Sequence, residues 1–422
     1  MIFEASLCSL SAATILAAGW GMLRYRTPLN PLTTFAAFDM GILTILSGVV
    51  AYTGWPMDVY TESDLATVAF ISLAYLSGAT IPFLFSGSLP SQVFGWVMLT
   101  LSLVSERIAA RFNRTKYGIL LFCSVCAFAA LASVGGGGLL WLTDPRLAYQ
   151  TYRAGAGIFF VMTQWFLVSA LIYYLWSRRP RKFKLVQVVI FFMGAAFFTG
   201  SKGMILTILI VVLFWYHFTI RKLSTGLLIS VPTALFSLFL GLQFVQGTAF
   251  SLVDSVNYFS DYFRVTTMFV ARIDECGYRF GAGALSSFWF YVPRALYADK
   301  PYEYGDLLIQ QFLWPGTAAA GATPGILPWS LAFLDFGIAG VFVSGLANGM
   351  MRRAAYEHYL KERGSFFAFL FMVHLSLWPV LVYAPALLLV IWSIALNVFL
   401  RLRLSPSERF NSPSATITQV SN

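Results

Sequence analysis

Eleven stretches of this chain are apolar enough, and of about the length needed, to cross a lipid bilayer as helices. A crossing helix needs about 20 mainly apolar residues. Such segments fall near 2–22, 33–53, 64–85, 117–136, 155–176, 185–201, 203–220, 224–244, 325–348, 365–384 and 385–400. In lipid the backbone must satisfy its own hydrogen bonds, so the pattern predicts an all-α polytopic membrane protein with about 11 transmembrane helices. Composition closes off the alternatives. Apolar residues make up 58% of the 422 and charged residues only 11%, against about 25% charged in a soluble domain. A water-soluble fold of this size could not hide so much apolar surface. A cytosolic enzyme, a nucleic-acid binder and a disordered chain are excluded. The first segment reads as a span and not as a secretory signal, because Glu4 replaces the basic n-region and Arg24 and Arg26 follow a long apolar stretch. Segment 92–105 is short and reads as interfacial or re-entrant.

Lysine and arginine set the sidedness. One alternating set of connections holds Arg24 and Arg26, the 107–116 cluster, Arg178 to Lys184, Arg221 and Lys222, Arg352 to Arg363, and Arg401 and Arg403. With Arg409 in the tail it carries 20 of the 28 basic residues. The N terminus is then outside and the polar tail 404–422 inside, disordered and cytoplasmic. The net charge of +10 is mostly a topology signal, so no nucleic-acid partner is expected. The predicted organisation is eight spans with short loops over 1–244 (including an outer connection at 137–154), a large outer loop at 245–325, three spans over 326–403, and the tail.

A loop as long as 245–325 is unusual unless it is functional. Leu252, Val256, Phe259 and Phe263 recur at helical spacing, which predicts an amphipathic helix over 250–272 able to lie along the membrane surface. A second short helix is expected at 303–313. The run WFYVPRALYADKPYEYG combines aromatic faces, suited to sugar rings, with cations suited to phosphates. Six arginines, Arg146, Arg153, Arg264, Arg272, Arg279 and Arg294, sit outside against the positive-inside bias. Each has an alternative reading as a surface ion pair: Asp144 for Arg146, Asp261 for Arg264, Asp274 for Arg272. Arg153-Ala-Gly155-Ala-Gly157 is echoed by Arg279-Phe-Gly281-Ala-Gly283, and glycines there would let backbone amides approach an anion. Lys202, in a tight Gly-Ser-Lys-Gly turn, either snorkels or meets an anion at headgroup height. Asp335 opens the ninth span, where a buried carboxylate is a functional candidate. Asp39 lies nearer the inner side and ranks below it. Cys123 and Cys126 read as core packing, and no histidine pair, P-loop or D-x-D dyad appears.

Taken together, the eleven-span layout with one late outer loop, Val292-Pro293-Arg294-Ala295-Leu296 followed by Lys300-Pro301, Gly200-Ser201-Lys202-Gly203, and Asp335-Phe336-Gly337 with Gly340 resemble the O-antigen polymerases. These are the Wzy-type oligosaccharide repeat-unit polymerases of the bacterial inner membrane. The family's R-x10-G pattern is met by Arg146 to Gly157 and by Arg272 to Gly283. The resemblance implies a GT-C or O-antigen-ligase-like fold with the large loop in the periplasm. It also implies a metal-independent membrane glycosyltransferase without cofactors. That enzyme would transfer a growing glycan from undecaprenyl pyrophosphate onto a new lipid-linked repeat unit. Its expected partners are the lipid-linked donor and acceptor, the bilayer, and a chain-length regulator protein.

A sugar–pyrophosphate bond breaks with development of charge on the leaving group, which pre-aimed cations stabilise. Arg146, Arg153, Arg272 and Lys202 are expected on the donor pyrophosphate. Arg294 and Lys300 are expected on the glycan or acceptor lipid, with Arg264 and Arg279 also binding substrate. Asp274 and Asp335 are the candidates to take or orient the acceptor proton, and Arg272 joins them as a catalytic group. An O-antigen ligase and a lipid-linked oligosaccharide flippase are the alternatives. A loop without histidine weighs against the ligase, and the lack of repeated halves weighs against a transporter.

Overall fold

A computed structural model describes residues 1–54, 60–85, 116–152, 156–224, 252–292, 294, 297–317 and 325–361, with isolated positions within 226–241 and 369–376. The spans expected at 224–244, 365–384 and 385–400 fall mostly or wholly outside these residues, as do segment 92–105, Arg153 and the tail. Every regular element among the described residues is helical. In chain order the principal helices are α1 (Ile2–Tyr25), α2 (Pro31–Thr53), α3 (Glu62–Leu84), α4 (Lys116–Val134), α5 (Pro145–Tyr152), α6 (Gly157–Arg178), α7 (Lys182–Phe197), α8 (Lys202–Ile220), α9 (Leu252–Ala271), α10 (Ala282–Ser286), α11 (Leu307–Leu313) and α12 (Ser330–Lys361). Seven of them, α1 to α4, α6, α8 and α12, are long and apolar enough to cross a membrane. The chain is an all-α polytopic membrane protein.

Local chemistry starts the helices where the sequence breaks. Asn30 accepts the amides of Leu32 and Thr33 at 3.1 and 2.9 Å ahead of Pro31 at the first helical position of α2. Thr61 and Asp64 close a reciprocal capping box on α3. Packing then relies on small residues. Gly345 and Gly349 of α12, four apart, face the backbone of α3 at Tyr75 and Ala79, while Gly78 faces Phe342. Membrane helices lack a hydrophobic drive to associate, so close backbone approach of this kind holds them together.

The contacts order the helices by direction. The Met1 amine meets Glu62, so α1 and α3 start at one end. Arg24 reaches the Phe83 carbonyl at 2.6 Å and Arg353 reaches those of Pro82 and Phe85, so α1, α3 and α12 finish together at the other. His217, late in α8, meets Thr27 at 2.9 Å at that same finishing end. This is the geometry that alternating threading requires of spans one, three, seven and nine. Lys202, at the start of α8, therefore lies at the end where α1 and α3 begin.

Two expectations are corrected. The described second half of helix α9 packs on protein and not along a membrane surface: Phe263 and Phe269 are fully buried, Phe263 packs on Phe3 and Gly48, and its amide donates to Ser47 Oγ at 2.9 Å. Arg352 and Arg353 lie in α12 and not in the connection after it, at the end where α1 and α3 finish. Helix α12 runs from Ser330 to Lys361 with a break at Phe336 and Gly337, and both arginines are enclosed within the bundle at 2% and 1% exposure. The short helix expected at 303–313 forms as α11, beginning at Leu307 after a turn.

Candidate functional site

Helix α5 seats directly on the turn between α7 and α8. Gly200 has φ 67°, and a Cβ there would collide with the Pro145 carbonyl and Tyr149, so only glycine permits the approach. The contact brings Arg146 to Lys202, close enough for the two positive charges to oppose one another. Lys202 is 5% exposed and is the first residue of α8, where unsatisfied helix amides favour an anion. The Arg146 guanidinium lies 5.1 Å from the centre of the Tyr149 ring and makes only a long 3.4 Å contact to the Gly200 carbonyl. Its Nε is buried with no hydrogen-bond partner among the described residues. The alternative pairing with Asp144 is not formed: Asp144 instead accepts the Leu147 amide at 3.0 Å and caps α5.

The Arg279-Phe-Gly-Ala-Gly segment does bind an anion, but the anion is internal. Asp335 accepts the amides of Gly283 at 2.9 Å and Ala284 at 2.8 Å, one on each carboxylate oxygen. Helix α12 breaks just beyond, at Phe336 and Gly337. The Leu334 and Asp335 carbonyls accept the amides of Arg279 and Phe280, each at 3.0 Å. Loop and broken helix thus satisfy each other's backbone. Asp335 is 1% exposed, with both carboxylate oxygens taken up by loop amides. Arg279 is left exposed.

Arg294 also works inward. Its guanidinium donates to the carbonyls of Ala298, Lys300 and Pro301 and stacks 3.6 Å from the centre of the Tyr302 ring. It folds the loop that carries Lys300, whose ammonium sits 4.5 Å from the Tyr304 ring centre. Burial, helped by the neighbouring Arg294, pushes the Lys300 amine down to about 8. Trp289 and Tyr297 stack at 5.5 Å beside it. The 3₁₀ turn Ser287–Tyr291 touches α6, which joins the large loop to the arginine-bearing connection.

Arg272 pairs with an acid, though not the one expected: Nε and Nη2 fork onto Glu275 at 3.0 and 2.7 Å, leaving Asp274 exposed. That hydrogen bonding holds the Glu275 carboxyl below its ordinary range. The Arg272 guanidinium also faces Phe312 of α11 at 4.9 Å. Arg264 lies on α9 near Asp261 and Tyr60. Arg153 lies outside the described residues.

Sequence reasoning missed the buried network at the opposite end, where Arg352 meets Asp39 at 3.0 Å. The signal was there in the four-residue spacing of Asn348 and Arg352, continuous with the apolar periodicity of the ninth span.

No family model matches the chain and no solved structure matches it. Among curated proteins it is similar to the O-antigen polymerases of Salmonella typhimurium (strain LT2) and Salmonella typhi, each 24% identical over 253 residues. The match covers 57% of this chain and 60% of each relative. The resemblance read from the residues is therefore matched by two curated proteins that carry the name O-antigen polymerase.

Proposed function

We propose that the chain polymerises lipid-linked oligosaccharide repeat units at the periplasmic face of the bacterial inner membrane. The growing glycan on undecaprenyl pyrophosphate passes to a hydroxyl of a new lipid-linked unit. The new C–O bond forms at the anomeric carbon, the old bond to pyrophosphate breaks, and the pyrophosphate leaves with the bonding electrons. The observation that carries this reading is Arg146 beside Lys202 at the loop end, with a buried Arg146 donor left unsatisfied. Two cations held in a partly dry site suit a diphosphate whose charge grows as its sugar departs. Lys300, on the loop that Arg294 folds, and the Trp289–Tyr297 stack suit the glycan. Asp274, exposed beside Arg272, is the group to accept the acceptor's proton.

Deleting the gene and running the surface polysaccharide on a gel tests the reading. Single repeat units on lipid A core are the expected product. Polymer retained on the carrier lipid would make the chain a ligase, and loss of both products would make it a flippase. Complementation with Lys202→Met and Arg146→Ala, at normal membrane levels, is expected to leave single units. A full ladder from both would remove this pair from the site.

A further inference from the structure

Lys300 is a cation that the large loop buries without an acid. It is 8% exposed and lies outside every described helix long and apolar enough to cross the membrane. Its ammonium meets the face of Tyr304, 4.5 Å from the ring centre, and makes no hydrogen bond or ion pair among the described residues. A ring face takes up one direction of a group that has three donors. Arg294 stands beside it and adds a second positive charge. Asp299 and Glu303 flank Lys300 in sequence, yet both are exposed and neither forms an ion pair with either cation. Burying a charge without a partner is costly, and a chain that does so in a loop carries the mark of a ligand site.

The surroundings say which anion fits. Both terminal nitrogens of Arg294 are committed to the carbonyls of Ala298, Lys300 and Pro301, so the planar fork that grips phosphate oxygens is already taken. What remains is one ammonium, a point charge matched to one carboxylate. Aromatic rings flank it. Tyr297 stacks on Trp289 with the ring planes 19° apart and is 46% exposed. Tyr302 lies under the Arg294 guanidinium and is 48% exposed. Each ring therefore has one face covered by the chain and surface left over for a ligand. Such rings suit the C–H faces of a pyranose, and neither inorganic phosphate nor a phospholipid head has a face of that kind. Ser286 of α10 accepts the Gly305 amide at 2.9 Å. That bond ties the segment carrying Lys300 to the turn held by Asp335, which keeps cation and rings in one geometry.

We infer that Lys300, with Tyr297 and Tyr302 beside it, binds the carboxylate of an acidic sugar, so that the glycan taken by this loop carries a hexuronic acid or another carboxylate-bearing residue. This rests on the function proposed above and names the charge of its glycan. Arrival of the carboxylate gives the ammonium the partner that the chain withholds. A neutral repeat unit leaves it buried and unpaired, and a site built for a polar group rejects an analogue that lacks that group. Lys300 is then a specificity residue. The charge it selects sits on a sugar, away from the diphosphate assigned to Arg146 and Lys202.

Two measurements test it. Sugar analysis of the surface polysaccharide from the producing strain is expected to find a carboxylate-bearing residue in every repeat. A repeat without a carboxylate would overturn the inference and leave the gel phenotype of the deletion strain as it was, so this proposal and the polymerase reading fail separately. The second measurement titrates the full chain in phosphatidylethanolamine nanodiscs with the repeat oligosaccharide cut from that polymer. The same oligosaccharide, with its carboxylates reduced to alcohols, is the control. Reduction is expected to weaken binding about tenfold or more, the effect of losing one hydrogen bond to a charged group. In Lys300→Gln both forms should bind alike and weakly, while Lys300→Arg should keep the preference. Inorganic phosphate in solution and phosphatidylglycerol in the disc should not displace the native form. Displacement by either, equal binding of the two forms by the parent chain, or a preference kept in Lys300→Gln would overturn the inference. The comparison within the parent chain decides the matter even where Lys300→Gln fails to fold.

Discussion

Asp39 of α2 and Arg352 of α12 form a 3.0 Å ion pair inside the bundle. Around it, Arg352 donates to Asn348 at 2.9 Å, Asn348 donates to the Tyr75 hydroxyl at 2.6 Å, and the guanidinium lies over Phe35. Asp39 itself sits in a π-helical stretch, Ala36–Leu46, a local widening frequent at functional positions. Removing one partner strands the other charge in a dry interior, at about 3–5 kcal/mol, whereas replacing both with apolar residues is nearly neutral. Arg352→Met is expected to lower the melting temperature in detergent sharply, and Asp39→Leu with Arg352→Met to restore most of it. A double variant no better than the single one would show that the pair does more than balance charge.

Close packing of α3 against α12 gives a second test. A Cβ at Gly349 or Gly345 would run into the Ala79 or Tyr75 carbonyl, and overpacking costs about 1–3 kcal/mol. Gly19 of α1 meets nothing within 4 Å. Gly349→Ala should therefore destabilise, and Gly19→Ala should stabilise slightly through helix propensity. Equal effects in a thermal unfolding assay would refute the contact.

The lowered Lys300 value predicts opposite trends for binding and stability. Its amine titrates near 8 in the folded chain, against the ordinary 10.5. Between those values the unfolded chain holds more protons, so stability rises with pH across the window. The proposed glycan contact depends on the charged amine, so affinity for the lipid-linked glycan should fall as pH passes 8. Lys300→Arg, charged throughout, should flatten the binding profile. A profile that stays steep in this variant would place the titrating group elsewhere.

With both carboxylate oxygens on loop amides, Asp335 is expected to act by positioning the loop. A Cβ at Gly283 would lie 2.7 Å from its Oδ1, so Gly283→Ala and Asp335→Asn should disturb one and the same loop. Both should shorten the polymer while leaving the pH profile of the remaining activity in place. A displaced profile in Asp335→Asn alone would instead make Asp335 the proton acceptor.

Much of this layout was readable from the residues, because lipid enforces a simple rule: long apolar runs become helices. The Gly200-Ser201-Lys202 turn was legible for the same reason, since no room exists there for a longer connection. What escaped the sequence depends on partners distant along the chain. The Arg279–Gly283 segment looked like an anion cradle and is one, but nothing local tells that Asp335, about fifty residues on, fills it. Arg352 looked like a loop residue because positive charge usually marks a helix end, and its pairing with Asp39 and Asn348 lets it lie within the bundle instead. Helix α9 shows the same limit, since an amphipathic stripe does not say whether protein or lipid covers it.

The Arg272–Glu275 fork makes the last prediction the most discriminating for the site. An exposed pair of this kind adds little to stability, so its partner can be exchanged for a substrate phosphate without unfolding the turn. Glu275→Gln removes the competitor and should leave the polymer ladder intact or raise diphosphate affinity. Arg272→Ala and Arg272→Lys should each reduce the product to single units with membrane insertion unchanged, because lysine keeps the charge but lacks the planar fork that grips two phosphate oxygens. If Arg272→Lys polymerises normally, charge alone suffices at this position. If Arg272→Ala does so too, Arg272 is only the surface partner of Glu275, and the diphosphate is held by Arg146 and Lys202 without it.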